Sequence, residues 1–278
     1  MATEFQSTLR AGTAEIAISP SNAWVLGVPI TKHPIETVLH EMGRRIETRE
    51  QGSIGITNTE SIYFATKLAD HREYIRNTVF SCCDGVGVVW AARMAGERVP
   101  RIHGPDLMLR ACEFGVPRGW RHYFYGGRDG VAETLSQRLT ARFPGMITAG
   151  TYCPPFRALS DAEDNGIIES INGSKPDIIW VGLGLLKQER WVAAHLGKVD
   201  APWLIGVGAA FDFHAGTAKR APKLFREAGF EWAYRLVLEP RMFTRNMRSI
   251  PFLMMAARNA VSIRLGGGKV DQTYRNRE

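Results

Sequence analysis

An aspartate that follows an apolar run is well placed to act as a general base. Asp84 comes directly after the segment TVFSCC and enters a turn at Gly85. A carboxylate at such a position is partly desolvated yet exposed at the edge of a sheet, which suits proton abstraction. The same spacing also suits an aspartate that caps a helix beginning near Val86. Both roles are open on spacing alone.

Two glycine pairs also follow apolar runs, Gly182 with Gly184 and Gly206 with Gly208. Turns of this kind let backbone N–H groups approach a diphosphate. The third glycine of the G-x-G-x-x-G fingerprint is missing from both, so a dinucleotide site is weakly supported. Plain tight turns are the alternative for each pair.

Polar side chains stand next to these turns. Lys187 and Gln188 begin a helix after the first pair, where they could meet a phosphate and a sugar or base; a solvated first turn is the alternative. Asp212 stands between two phenylalanines and could hold a sugar hydroxyl or satisfy backbone N–H groups. His103 and His214 are isolated histidines, for which structural roles are expected.

The sequence shows no recognisable metal motif that could neutralise the negative charge of a leaving diphosphate. The sequence contains no D-x-D, C-x-x-C or H-E-x-x-H pattern, so neither a metal nor a cofactor is predicted. Arginine forks, helix N-termini and backbone N–H groups would then carry the charge. The candidate arginines, for each of which a solvated basic face is the alternative, are Arg220, Arg235, Arg241 and Arg245.

Apolar runs alternate with amphipathic stretches along most of the chain. Strands are predicted at 24–30, 53–57, 78–83, 122–125, 177–183 and 203–207, and helices at 34–49, 60–69, 131–143, 160–172 and 188–196. This alternation predicts an α/β fold with a mostly parallel, Rossmann-like sheet and helices on both faces. Ligands bind at the carboxyl ends of such strands. Thr57, Asn58, Thr59 and Asp84 lie there together with the glycine turns.

The basic charge is concentrated at one end of the chain. Of the net charge of +7, residues 241–278 supply +6, from eight Lys and Arg against two Asp and Glu. Because the strands also stop, we predict an α/β catalytic domain over 1–222 and a helical, Arg-rich appendage over 223–278. Met and Phe interleaved with Arg suit an anionic membrane surface. A helix that covers its own domain, or a homo-oligomer contact, is the alternative.

A near-neutral body without aromatic stacking platforms argues against nucleic acid as a partner.

Targeting signals are not apparent in the sequence. The apolar run at 250–257 is far shorter than the roughly 20 residues that span a bilayer, and residues 1–20 do not resemble a signal peptide. Four cysteines, two of them adjacent, do not form a disulfide framework. We therefore expect a cytoplasmic protein attached peripherally to the inner face of the cell membrane.

Eight motifs occur in order along the chain. They are ITNTE (56–60), DGVGVVW (84–90), RIHGPDL (101–107), YGG (125–127), DIIWVGLGLLKQERW (177–191), GVGAAFDFHAG (206–216), KRAPK (219–223) and EWAYRLVLEPR (231–241). Together they resemble the WecG/TagA/CpsF family of bacterial glycosyltransferases. The resemblance implies a metal-independent, Rossmann-like enzyme that moves a hexosyl or N-acetylhexosaminyl group, with inversion, from a UDP-sugar to a polyprenyl-diphosphate-linked saccharide. Such transfers belong to exopolysaccharide and cell-surface polysaccharide biosynthesis.

The resemblance also implies residue roles. The family's catalytic aspartate falls on Asp84, its loop asparagine on Asn58 and the glutamine of its PKQE motif on Gln188. The appendage arginines that reach the diphosphate match Arg235 and Arg245.

Three positions depart from the family pattern. Ile56 stands in place of a threonine, Leu186 in place of the proline of PKQE, and Met242 in place of the second arginine of EP-x-R, with Arg241 one residue earlier. Ile56 and Met242 bear on contacts with the donor or the diphosphate.

Two other functions are compatible with parts of the sequence. One is an NAD(P)-linked oxidoreductase on a Rossmann sheet, which the missing fingerprint disfavours. The other is a non-catalytic, nucleotide-binding adaptor at the membrane.

Overall fold

A computed structural model describes residues 21–222, 225 and 249–264. The strands of this part are β1 (Asn22–Val25), β2 (Val28–Thr31), β3 (Gly52–Thr57), β4 (Phe80–Cys83), β5 (Arg121–Gly126), β6 (Ile147–Tyr152), β7 (Ile178–Gly182) and β8 (Trp203–Gly206). The helices are α1 (Ile35–Thr48), α2 (Thr59–Ala65), α3 (Ala69–Arg76), α4 (Val86–Met94), α5 (Gly104–Gly115), α6 (Val131–Arg142), α7 (Asp161–Gly173), α8 (Lys187–His195), α9 (Ala210–Ala215) and α10 (Ser249–Arg264).

The main sheet has six parallel strands in the order β4-β3-β8-β7-β5-β6. Each crossover between parallel strands passes over a face of the sheet, where its helices pack. The predicted α/β fold with a parallel sheet is therefore confirmed. Because β4, β3 and β8 are neighbours, their carboxyl ends open onto one stretch of the sheet edge.

Helices cover both faces of this sheet, as predicted. One core joins the sheet to α2, α3, α4, α7, α8 and α10, and the other joins it to α1, α5, α6 and α9. Alternation along the strands divides the side chains between the two cores: Tyr123 and Tyr125 of β5 belong to the first, and Phe124 between them to the second.

Some local predictions are wrong. The single strand predicted at 24–30 is a hairpin, in which β1 and β2 pair antiparallel across Leu26 and Gly27. Both turn residues have positive φ, the combination that a tight two-residue hairpin turn requires. The helix predicted at 60–69 ends at Ala65, and α3 begins anew because Leu68 takes an extended conformation.

Helix α10 lies in the predicted appendage and packs against α2 and α4. Phe252 is fully buried there, and Ala256 lies in the same core. The other side of α10 exposes Ile250, Met254 and Val261 by half or more of their surface. Part of the appendage thus covers its own domain while an apolar face stays open. No helix within residues 21–222 or 249–264 combines the length and apolar content needed to cross a membrane.

We predict that Phe252→Ala lowers the free energy of unfolding by about 3 kcal/mol, because a fully buried ring is lost from the core. Urea denaturation measures this loss. Met254→Ala, on the exposed side of the same helix, is the control and should change stability by less than about 0.5 kcal/mol. Equal effects of the two variants would show that α10 does not pack on the domain in solution.

Candidate active site

Three adjacent strand ends carry the candidate residues. Thr57 ends β3, Asp84 follows β4, and Gly208 follows β8. The backbone N–H of Asp84 donates to the carbonyl oxygen of Thr57 at 2.9 Å, which continues the β3–β4 ladder by one step and fixes the aspartate at the rim. The N-cap of α4 is Gly85, with φ of +94°, rather than Asp84. The Asp84 side chain is 24% exposed, so it is partly desolvated and still reachable.

The Asp84 carboxylate contacts His103, for which a structural role was expected. The Nδ1 atom of His103 contacts Oδ1 of Asp84, and the histidine side chain is mostly buried. The backbone N–H of Ile102 donates to the carbonyl oxygen of Cys83 at 2.8 Å, which holds the RIHGPDL segment beside the end of β4. Position within that motif was the one signal in the sequence that linked His103 to the site.

The loop after β3 builds one wall of the site. Asn58 is the N-cap of α2, and its Oδ1 accepts a hydrogen bond from the N–H of Ser61 at 2.9 Å. The side-chain NH₂ group of Asn58 is then the part that can face a ligand. Thr57 is buried, with its hydroxyl 2.8 Å from that of Ser81. The hydroxyl of Thr59 lies 3.0 Å from that of Ser249, so this threonine contacts the appendage.

Gln188 is directed into the protein. It is buried, its Oε1 accepts the backbone N–H of Gly208 at 2.9 Å, and its Nε2 donates to Oε1 of Glu189 at 3.0 Å. A Cβ atom on Gly206 would stand 3.0 Å from the Gln188 side chain, so the glycine leaves room for the glutamine. Gln188 therefore holds the turn after β8 in place. The backbone N–H of Gly208 in that turn is bonded to Gln188 and not to a ligand.

The turn after β7 is more open to a ligand. Gly184 has φ of +83° and no atom within 4 Å of the position that a Cβ would take, and Lys187 at the start of α8 is exposed. Leu186, the N-cap of α8, has φ of +70°. Proline is locked near −65°, so the leucine that replaces the proline of the family motif accompanies a backbone conformation that proline cannot adopt.

Residues after β8 fasten the N-terminus of α5. The two terminal nitrogens of Arg220 bind the carboxylate of Asp106 at 2.7 and 2.8 Å, and Nε2 of His214 lies 2.9 Å from the carbonyl oxygen of Pro105. Asp212 accepts a hydrogen bond from the hydroxyl of Thr217 at 2.9 Å. The candidates Arg220 and Asp212 thus make intramolecular contacts in this state, and Arg220 helps to hold the segment that presents His103.

A pocket of about 420 Å³ adjoins the site on the His103 side. Its lining includes charged side chains of both signs, from Arg101, Arg110, Glu36 and Asp106. Between residues 21 and 222 and along α10, no three His, Cys, Asp or Glu side chains cluster as metal ligands would. Arg235, Arg241 and Arg245 lie outside the described residues, so their predicted contacts with a diphosphate stay predictions.

Glu189 is a buried carboxyl group beside these turns. Burial raises its pKa above the ordinary value of 4.5, the bond from Gln188 opposes that rise, and Oε2 is buried without a hydrogen-bond partner in the described structure. A carboxyl whose pKa is raised by folding binds more protons in the folded than in the unfolded chain. The free energy of unfolding therefore falls as pH rises from about 4.5 through the raised pKa.

We predict that Glu189→Gln reduces the loss of thermal stability between pH 5 and pH 8, because an amide has no charge to bury. Thermal unfolding across that range is the measurement. Glu169→Gln, an exposed position on α7, should keep the wild-type pH dependence. If the Glu189 and Glu169 variants both follow the wild-type curve, Glu189 does not titrate as its burial implies.

Comparisons with known proteins identify the family of this chain. A sequence model of the glycosyl transferase WecG/TagA/CpsF family matches residues 23–265. The N-acetylglucosaminyldiphosphoundecaprenol N-acetyl-beta-D-mannosaminyltransferases of Staphylococcus aureus strains NCTC 8325 / PS 47 and COL are each 31% identical over 198 residues, which cover 71% of this chain and 76% of theirs. The family match excludes the oxidoreductase and adaptor alternatives. The chain therefore belongs to the WecG/TagA/CpsF family and is a glycosyltransferase.

Proposed function

We propose that the protein transfers a sugar from a UDP-sugar to a saccharide carried on polyprenyl diphosphate, with inversion at the anomeric carbon. The observation that carries this proposal is the partly exposed carboxylate of Asp84 at adjoining strand ends, in a chain of this family. The relatives in Staphylococcus aureus are named for N-acetylmannosamine transfer to N-acetylglucosaminyldiphosphoundecaprenol. We propose the same substrate class here, in the assembly of an exopolysaccharide or other cell-surface polysaccharide.

The reaction is a single displacement in which Asp84 is the general base. The acceptor oxygen bonds to the anomeric carbon while the bond from that carbon to the UDP oxygen breaks and its electron pair leaves with the diphosphate. The acceptor proton passes to the carboxylate of Asp84. Such assistance accelerates reactions by roughly 10²–10⁴-fold. Asn58 orients a substrate through its side-chain NH₂ group.

Cationic and backbone groups would meet the diphosphate charge. The open backbone at Gly184 and the exposed ammonium of Lys187, on the turn after β7, favour a phosphate there. The N–H of Gly208 is already bonded to Gln188, which makes the turn after β8 a weaker phosphate site. Arg235, Arg241 and Arg245 of the appendage are proposed to complete the charge balance.

We predict that Asp84→Asn lowers kcat by at least about a hundredfold, because an amide cannot accept the acceptor proton. UDP release from a UDP-sugar and a prenyl-diphosphate saccharide is the assay. Asp200→Asn is the control, because this exposed aspartate precedes β8 at the amino ends of the strands, away from the site. Surface ion pairs such as its pair with Arg49 contribute little to stability. A near-normal rate for Asp84→Asn would remove Asp84 from the base role.

Donor binding is tested separately from turnover. UDP-glucose, UDP-N-acetylmannosamine and UDP-N-acetylmannosaminuronic acid are compared for protection against thermal unfolding, since a ligand that binds the folded state raises stability with its concentration over Kd. We expect UDP-N-acetylmannosamine to protect best, and equally well in Asp84→Asn, since the base is not needed to hold the donor.

We also propose that the exposed face of α10 docks on the anionic inner surface of the cell membrane. Ile250, Met254 and Val261 lie on that face with Arg258, and the half-exposed Trp90 belongs to α4, against which α10 packs. Apolar side chains with a nearby cation suit the boundary between headgroups and acyl chains. Docking there would bring the loops that start α2 and α4 close to a lipid-linked acceptor.

We predict that the double variant Ile250→Ser/Met254→Ser binds anionic phospholipid vesicles at least tenfold more weakly and loses activity on a lipid-linked acceptor. Both side chains are exposed, so the fold should be kept, and activity on a short-chain soluble acceptor should persist. Vesicle flotation at moderate salt is the measurement. Phe156→Ser changes an 85% exposed ring beyond β6, at the far edge of the sheet, and should leave flotation unchanged. Unchanged flotation of the double variant would exclude this face as the docking surface.

A further inference from the structure

The contact between His103 and Asp84 joins two groups that can both accept a proton. Oδ1 of Asp84 meets Nδ1 of His103. An ionised carboxylate can only accept hydrogen bonds, so Nδ1 carries the hydrogen and donates it to Asp84. An aspartate that accepts from the Nδ1–H of a histidine is also the arrangement of serine hydrolases, in which the histidine is the base. Exposure decides between the two groups here.

The histidine is the inner member of the pair. Its Nε2 atom is buried, whereas the Asp84 side chain keeps 24% of its surface exposed at the rim. An acceptor hydroxyl arriving at the strand ends can therefore reach Asp84 but not the far nitrogen of His103. We propose that His103 is a positioning residue: it holds Oδ1 of Asp84 and so fixes the orientation in which the carboxylate meets the acceptor hydroxyl. This inference rests on the proposed role of Asp84 as the base.

The backbone holds the histidine in place from two directions. His103 is the N-cap residue of α5 in an extended conformation, and its carbonyl oxygen accepts the N–H of Leu107 at 2.8 Å. Just before it, the N–H of Ile102 is bonded to the end of β4. Just after it, Gly104 lies against Ile56 and the carbonyl oxygen of Val207, where a Cβ would be in contact at 3.4–3.5 Å. The imidazole is thus fixed relative to β3, β4 and β8 together.

Side chains after β8 complete this support. The two bonds from Arg220 to Asp106 and the contact from His214 to Pro105 secure the first turn of α5 from the opposite side. Burial lowers the pKa of His214, while its contact with Pro105 opposes that shift. An aspartate held by one fixed donor has fewer rotamers to search when the acceptor arrives, and such preorganisation of a catalytic group raises kcat.

His103→Asn and His103→Leu form a matched pair for the test, since the two new side chains have similar size and shape but only asparagine can donate a hydrogen bond. We expect the leucine variant to lose about tenfold to a hundredfold in kcat with little change in KM for the UDP-sugar. The asparagine variant should recover most of that loss. His40→Ala, on the exposed face of α1, is the control and should match the wild type.

A double-mutant cycle separates action through Asp84 from an independent effect. If His103 works only by holding Asp84, adding His103→Leu to Asp84→Asn should slow the enzyme no further. The wild-type protein offers a direct readout that needs no folded variant at position 103: a downfield proton resonance of the imidazole Nδ1–H that disappears in Asp84→Asn.

The outcomes are distinct. A leucine variant within twofold of the wild type, or a loss that adds in full to that of Asp84→Asn, would overturn the positioning role while Asp84 stays the base. Absence of the downfield resonance from the wild-type protein would overturn it as well. Near-normal turnover of Asp84→Asn would instead overturn the proposed function on which the inference rests.

Discussion

Parallel pairing of β4, β3 and β8 is the constraint on which the rest of the site depends. In a parallel sheet all carboxyl ends face one way, so residues 57–58, 84 and 206–208 meet although they are far apart in sequence. The pairing continues one step past the strands, because the N–H of Asp84 donates to the carbonyl oxygen of Thr57. The position of Asp84 is therefore set by the register of β3 and β4. A shift of register would move it to the other face. The contact between Asp84 and His103 forms only when Asp84 is in this position.

Buried polar side chains also stabilise the loops at these strand ends through hydrogen bonds. Gln188 and Glu189 lie where unpaired polar atoms are costly. Gln188 holds the backbone of the turn after β8, and Glu189 holds the side chain of Gln188. Gly206 has to lack a side chain for this arrangement to fit. A glycine pair that looks from the sequence like a phosphate-binding turn thus carries a packing requirement as well.

The sequence predicts most helices and strands of this protein well and the tertiary contacts poorly. Continuous apolar runs identify β7 and β8, because strands buried on both faces have that composition. The edge strand β6 was missed, since ITAGTY is only partly buried and has no apolar run. The hairpin at Leu26 and Gly27 was missed because a single glycine inside an apolar run is a weak turn signal. The family resemblance located Asp84, but only the fold brings His103 to it, across nearly twenty residues of chain.

Helix α10 links the proposed membrane surface to the chemistry by simple adjacency. It packs on α2 and α4, the helices that begin directly after Asn58 and after the Asp84–Gly85 turn, and its Ser249 contacts Thr59. If a bilayer displaced α10, the N-termini of these two helices would shift first. The candidate substrate-binding and base groups lie at those N-termini. Close packing transmits small shifts because a dense core has little free space in which to absorb them. In this arrangement, docking and the alignment of the acceptor with Asp84 are expected to be coupled rather than independent events.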